Sequence, residues 1–341
     1  MIKRTIIIAE AGVNHNGDIS LAKKLIDVAA ESKVDYVKFQ TFKAKTLVSK
    51  TAKKAEYQTK NIADSTLSQY EMLKKFELSD QDHNKLKEYC KIKGVRFLST
   101  AFDTEGVKYL DKLGVDFFKI PSGEITNFLY LKEIAQCQKK VVMSTGTANL
   151  KEIRDALEVL TRFGVPKEDI TIMHCNSDYP TKMEDVNLRA MLKIRDEFGV
   201  KVGYSDHTLG IEVPIAAVAM GANVIEKHFT LDRELPGPDH KSSLEPEELK
   251  SMVLSIRNIE KALSGTGVKN PTNSELKNKD LIRKSIFIEK AIPENHKITL
   301  KDIALLRPGD GISPMRIEMI LGKKTNKDLP SFHKLCFSDL R

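Results

Sequence analysis

Eight short apolar runs rich in β-forming residues recur along the chain, at 5–10, 36–40, 95–100, 116–120, 141–144, 171–175, 200–205 and 223–228. Stretches of helical period separate them, among them 21–32, 80–93, 104–113, 150–163 and 211–220. Strand and helix alternating eight times is the arithmetic of a (β/α)8 barrel of roughly 250 residues. A doubly wound open sheet would bring a glycine-rich fingerprint after its first strand, and this chain has none there. The expected class is therefore α/β, a TIM barrel closed by a helix over 246–263.

The run at 264–274 is rich in turn formers and poor in core residues, which reads as a linker. Short segments with Pro293, Pro308, Gly309, Gly311 and Pro314 follow. The expected organisation is a barrel over 1–265, a linker over 266–280 and a small domain over 281–341. The gap between the second and third runs is long and polar, and residues 41–78 read as an extended loop over the barrel mouth.

Side chains alternate along a strand, and barrel active sites form at the C-terminal strand ends. Nearly every run here finishes on a polar or ionisable residue: Glu10, then Lys38 and Gln40, Thr100, Lys119, Ser144, Ser205 with His207 beyond, and Glu226 with His228. A barrel built only for packing does not need this. His207 and His228 end neighbouring strands, and two neutral imidazoles suit a borderline divalent cation with open coordination positions. Alternatively each is a hydrogen-bonded strand-end histidine. The pair beside Glu226 and Asp239 favours the metal.

Two inward lysines need anions to balance them. With Thr100, Ser122, Ser144 and Ser205 nearby, Lys38 and Lys119 suit a phosphate or carboxylate ligand. A Schiff-base lysine is a second reading. Ion pairing of Lys38 with Glu10 and of Lys119 with Glu124 is a third. Asn14-His15-Asn16-Gly17 reads as a turn, and His174 and Cys175 as core residues of strand six.

Composition narrows the class. Lys and Arg number 55 against 47 Asp and Glu, a net charge of +8 spread along helical stretches, and tryptophan is absent. That distribution argues against nucleic-acid binding. Cys90, Cys137, Cys175 and Cys336 are widely spaced and form no CxxC pair. No apolar run approaches the ~20 residues of a membrane helix, and the start of the chain lacks a signal-peptide core. A cytoplasmic protein is expected.

Seven motifs in order resemble the sialic acid synthase family: Ile8-Ala-Glu-Ala-Gly-Val-Asn-His-Asn-Gly17, Val37-Lys-Phe-Gln-Thr41, Lys119-Ile-Pro-Ser-Gly-Glu124, Ser144-Thr-Gly146, Gly203-Tyr-Ser-Asp-His-Thr208, Glu226-Lys-His-Phe-Thr230 and Gly237-Pro-Asp-His240. Arg307-Pro-Gly-Asp-Gly-Ile-Ser313 is similar to the core of that family's C-terminal antifreeze-like (SAF) domain. The resemblance implies a TIM barrel plus SAF domain. It also implies condensation of phosphoenolpyruvate with an N-acetylated mannosamine-type sugar and release of phosphate by C–O cleavage. A manganese or magnesium ion is implied as cofactor, and a homodimer in which the SAF domain covers the partner's active site.

Carried over by motif, His207 and His228 would hold the metal. Lys38, Thr100, Lys119, Ser122, Ser144 and Ser205 would bind phosphoenolpyruvate. Gln40, Tyr179 and Asp239 would contact the sugar, with Arg307 reaching it from the partner. Glu10 and Glu124 would be the acid–base carboxylates. The chain departs from the family's usual wording at Ala101, Thr147, Ser177, Lys182 and Pro236, and the changes over 177–182 fall near the implied sugar contacts. N-acetylneuraminate is the first expected product. N,N'-diacetyllegionaminate, from 2,4-diacetamido-2,4,6-trideoxymannose, is the second. A Schiff-base aldolase and a non-catalytic sugar-binding or coat protein on this scaffold are the rivals of other kinds.

Overall fold

The computed structural model describes residues 4–52, 54, 59, 61 and 68–341. The eight runs are strands β1 (Ile6–Gly12), β2 (Tyr36–Thr41), β3 (Arg96–Ala101), β4 (Phe117–Ile120), β5 (Lys140–Ser144), β6 (Ile170–Cys175), β7 (Lys201–Asp206) and β8 (Val224–His228). They lie in the order β3-β2-β1-β8-β7-β6-β5-β4, and every ladder is parallel. β3 and β4, at the two ends of that order, lie beside each other, so the sheet curls into a nearly closed TIM barrel.

A helix follows each strand: Ile19–Glu31, Asp80–Lys93, Thr104–Leu113, Phe128–Gln136, Leu150–Arg162, Arg189–Phe198, Glu212–Ala219 and Pro246–Ala262. Local chemistry sets many of their ends. The side chains of Asp18, Ser79, Asp103, Asn127 and Asn149 accept hydrogen bonds from first-turn amides, which satisfies donors the helix itself leaves open. Gly94, Gly114 and Gly199 stop their helices in the left-handed conformation. The apolar helix faces cover the sheet's outer side, so the strands are buried on both faces, as parallel sheets are. Ile7, Val37, Leu98, Phe118, Met143, Ile172, Tyr204 and Ile225 belong to this one core.

β8 departs from the pattern. Its sequence is Val-Ile-Glu-Lys-His and all five residues are buried. Three ionisable side chains on a buried strand require partners, and those partners build the site.

The stretch after β2 differs from the extended loop expected there. Ala44–Leu47 and Gln69–Phe76 are helices. Ser68 and Glu71 form a reciprocal capping box at the second, and Met72 and Phe76 join Val13 and Phe42 in a small apolar cluster of their own. The helical signal was weak because few turns carry it. The expectation for residues 53, 55–58, 60 and 62–67 lies outside the described residues.

The chain divides into two units, Met1–Ser264 and Gly265–Arg341. In the second, β9 (Ser285–Ile288) and β10 (Ile303–Leu306) pair antiparallel, over a core of Ile286, Ile288, Ile292, Ile298, Ile312, Ile320, Leu329 and Leu335. The span expected as linker holds a helix, Asn273–Ile282, started by a Thr272–Glu275 capping box. None of its residues is buried. It therefore shows no apolar stripe in the sequence, and its only signal was the cap.

Candidate active site

The polar strand ends meet over one cavity of 380 Å³ at the C-terminal mouth of the barrel. Of the fourteen side chains expected to form the site, thirteen line it: Glu10, Lys38, Gln40, Thr100, Lys119, Ser122, Glu124, Ser144, Tyr179, Ser205, His207, His228 and Asp239. Arg307 lies in the second unit, one residue beyond β10.

At the cavity floor the charges interlock. The Lys38 ammonium lies 2.8 Å from Glu10 Oε2 and 3.5 Å from Glu226 Oε2, and donates to Thr100 Oγ1 at 3.1 Å. Lys119 Nζ lies 3.3 Å from Glu226 Oε1, and the Ser205 hydroxyl donates to that same oxygen at 3.1 Å. Gln40 Nε2 donates to Glu10 Oε1 at 3.2 Å. Gly12 allows this contact. It has φ +53°, and a Cβ there would crowd both Gln40 Nε2 and Glu10 Oε1 at 3.3 Å.

The expected pairing of Lys119 with Glu124 is corrected by this geometry. Lys119 binds Glu226, and Glu124 instead accepts from Asn127 Nδ2 at 2.6 Å on the cavity's edge. Barrel closure decides this, because it sets β8 beside β1 and places Glu226 between the lysines of β2 and β4. Glu226 was legible in the sequence as an inward residue, yet its bridging role depends on strand order.

Electrostatics follow from burial and these contacts. Burial opposes ionisation of Glu226, but Lys119 and Lys38 outweigh it and hold its pKa at about 2. Burial lowers the pKa of Lys119. It also raises that of Glu10, against Lys38 and with help from Glu226. Burial beside Glu10 lifts Asp239 to about 7, and burial raises the half-exposed Glu124. Carboxyl groups pushed upward in a cleft suit proton transfer near neutral pH.

His207 and His228 face the cavity with ring centroids 5.4 Å apart. The ring of Tyr179 lies 4.0 Å from His207 and 5.8 Å from His228. His207 Nδ1–H donates to the Asn176 carbonyl at 2.5 Å, which leaves the Nε2 lone pair for a cation. Burial, with His207 and Lys38 nearby, holds the His228 pKa well below the usual value. Its buried Nδ1 has no hydrogen-bond partner, nor has the buried Ser144 Oγ. Burial works to lower the His207 pKa, but Cys175 and the Asn176 carbonyl outweigh it and raise it. His207 would therefore bind a divalent cation with loss of its proton, beside the unspent ring nitrogen of His228. Among the described residues no group of three or more His, Cys, Asp and Glu is gathered for one. A cation here would rest on the two imidazoles and take its other ligands from substrate and solvent.

Two features escaped the sequence reading. Cys175, expected in the core, lines the cavity 3.8 Å from His207 Nδ1. An apolar wall of Val13, Leu47, Met72, Leu73, Phe76 and Phe102 faces the cavity as well. Alternation along β6 placed Cys175 inward in principle, but nothing marked the wall.

Comparison with known proteins agrees with the motifs. Residues 25–269 match the NeuB family and residues 283–331 match the SAF domain. The chain is 52% identical to an N,N'-diacetyllegionaminic acid synthase of Campylobacter jejuni, over 96% of this chain and 97% of that protein. It is 51% identical to an N,N'-diacetyllegionaminic acid synthase of Legionella pneumophila, over 95% and 91%. The crystal structure of an N-acetylneuraminic acid (sialic acid) synthetase from Leptospira borgpetersenii superposes with a TM-score of 0.70 at 34% identity, covering 81% of this chain and 90% of that one.

Proposed function

The chain belongs to the NeuB family, the sialic acid synthase family, and we propose that it is an N,N'-diacetyllegionaminate synthase that condenses phosphoenolpyruvate with 2,4-diacetamido-2,4,6-trideoxymannose. The observation that carries the choice of product is the near-full-length identity of 52% and 51% to two synthases of that name, against 34% to the sialic acid synthetase. This reverses the order expected from the motifs, which both groups share. The apolar wall agrees with it, since a 6-deoxy sugar presents a methyl where a 6-hydroxyl would need a hydrogen-bond partner.

Phosphoenolpyruvate brings a phosphate and a carboxylate to a floor that already holds two ammonium groups. Lys38 and Lys119 would exchange part of their bonding to Glu226 and Glu10 for charge-assisted bonds to the ligand. Ser144, whose buried hydroxyl has no partner, would donate to it with Ser122, Ser205 and Thr100. Held by His207 and His228, a manganese or magnesium ion would act as Lewis acid on the aldehyde oxygen of the open-chain sugar. Gln40, Tyr179 and Asp239 would orient that sugar so that C3 of phosphoenolpyruvate meets the aldehyde carbon. Positive charge then develops at C2, and Glu10 or Glu124 would stabilise it and take a proton from the water that adds there. Phosphate leaves by C–O cleavage.

The same reading makes the protein a cytoplasmic homodimer in which Arg307 of one subunit serves the sugar of the other. Among the described residues no helix is long and apolar enough to cross a membrane. Changing Arg307 to Ala should raise KM for the acceptor.

The decisive assay follows phosphate release from phosphoenolpyruvate with manganese and a panel of amino-sugars. The trideoxy sugar should show the higher kcat/KM. A preference for N-acetylmannosamine would return the reading to N-acetylneuraminate, and no release with any acceptor would overturn it.

A further inference from the structure

Behind the two histidines lies a second pair of charges that the proposed chemistry does not use. Asp206 and Lys227 are cross-strand partners on β7 and β8, each the chain neighbour of one imidazole. Both side chains are wholly buried, and Lys227 Nζ lies 2.5 Å from Asp206 Oδ2. They point away from the cavity, because Ser205, His207, Glu226 and His228 alternate into it.

The pair is fully bonded. Asp206 Oδ1 accepts from the Thr208 amide at 3.0 Å and from the Thr208 hydroxyl at 2.9 Å. Lys227 Nζ also donates to the Thr208 carbonyl at 2.5 Å. No polar atom of Asp206, Lys227 or Thr208 is left without a partner. The path Asp206–His207–Thr208 is therefore wrapped around one ammonium group, with His207 in its middle. The chain neighbour of that ammonium's residue is His228.

Stability does not explain such a pair. Removing two charges from water costs about what their attraction returns, and apolar replacements of similar volume are commonly neutral or stabilising. What the pair supplies is geometry. It ties the exit of β7 to the end of β8 through bonds that have one good arrangement, whereas an apolar contact would let both strand ends shift.

We propose that the Asp206–Lys227 pair, closed by Thr208, is a positioning device that sets the spacing and facing of His207 and His228 for a divalent cation. It rests on the reading of those imidazoles as a cation-binding pair. Asp206, Lys227 and Thr208 are positioning residues, since they touch neither the cavity nor its ligands.

The test measures manganese binding directly, by electron paramagnetic resonance of free Mn2+ titrated with the full-length protein, together with thermal melting. In the double variant Asp206→Leu with Lys227→Met, the melting temperature should stay within roughly 4 °C of the parent. Manganese affinity should fall by roughly 10–100-fold, the usual cost of losing groups that orient metal ligands. Undiminished affinity in a folded double variant overturns the proposal and leaves the cation reading standing. Absence of manganese binding by the parent protein overturns both. If the double variant does not fold, Thr208→Val decides. It keeps the ion pair and the packing but removes the hydroxyl bonds, so weakened manganese binding supports the device and unchanged binding overturns it.

Discussion

The ring of Tyr179 lies over that of His207, with centroids 4.0 Å apart and planes tilted by 33°. Tyr179 comes from the loop after β6 and His207 from the end of β7, so two separate connections meet at one edge of the cavity. An acceptor sugar bound beside the imidazoles has this phenol as a wall. Changing Tyr179 to Ala should therefore raise KM for the acceptor by about tenfold, the scale of one aromatic contact, with a smaller effect on KM for phosphoenolpyruvate. Initial-rate kinetics with each substrate varied in turn checks the split.

Lys119 probes the proposed binding of the other substrate, phosphoenolpyruvate. Replacing Lys119 with Met removes one of the two ammonium groups at the cavity floor and leaves Glu226 with Lys38 and the Ser205 hydroxyl. Hydrogen bonds to charged groups contribute about 1.5–3 kcal/mol, so kcat/KM for phosphoenolpyruvate should fall by roughly 10–150-fold. An unchanged value, or trapping of pyruvate on either lysine by borohydride, would argue for a chemistry other than the one proposed.

Chelation probes the imidazoles. EDTA should abolish phosphate release and added manganese should restore it. His228→Ala should bind manganese too weakly for that rescue, with its fold retained by circular dichroism.

Asp239 makes stability depend on pH. Its pKa rises from 3.8 to about 7, chiefly through burial. The folded protein therefore holds a proton that the unfolded chain has lost between about pH 4 and 7, and this group's contribution falls as pH rises through that window. Glu226 acts in the opposite sense. Its folded pKa near 2 gives stability that is present above about pH 4.5 and lost as pH falls below it. Asp239→Asn should leave stability at pH 4 nearly unchanged and raise it at pH 8 by a few kcal/mol at most. Urea unfolding of the ligand-free protein at the two pH values measures the difference.

Gly17 joins the first βα turn to the helix Gln69–Phe76. Its φ is +77°, and a methyl there would collide with the Lys75 carbonyl. Gly17→Ala should cost roughly 1–3 kcal/mol and displace the apolar wall, which differential scanning calorimetry and the KM for the acceptor would both register.

Much of this was readable along the chain. The strands fall where short apolar runs rich in β-forming residues were marked, and the helices Asp80–Lys93 and Thr104–Leu113 span the residues their period indicates. Period and capping are local properties, set by side chains within a few residues of each other. Inward alternation likewise named the lysines, the histidines and Glu10 as neighbours of one mouth, because a strand's facing follows from parity once the class of fold is known.

Which charge meets which was not local. Parity places Glu226 inward, but only the closure of β8 against β1 brings it between Lys38 and Lys119 and leaves Glu124 to Asn127. The same closure joins Asp206 to Lys227 across two strands. The helix Gln69–Phe76 and the exposed helix Asn273–Ile282 were missed because short or unburied helices carry little apolar signal. Patterning along the chain determined the elements and the inward-facing residues. The three-dimensional packing of strands remote in sequence decided their partners, since Coulomb forces act across space and not along the backbone.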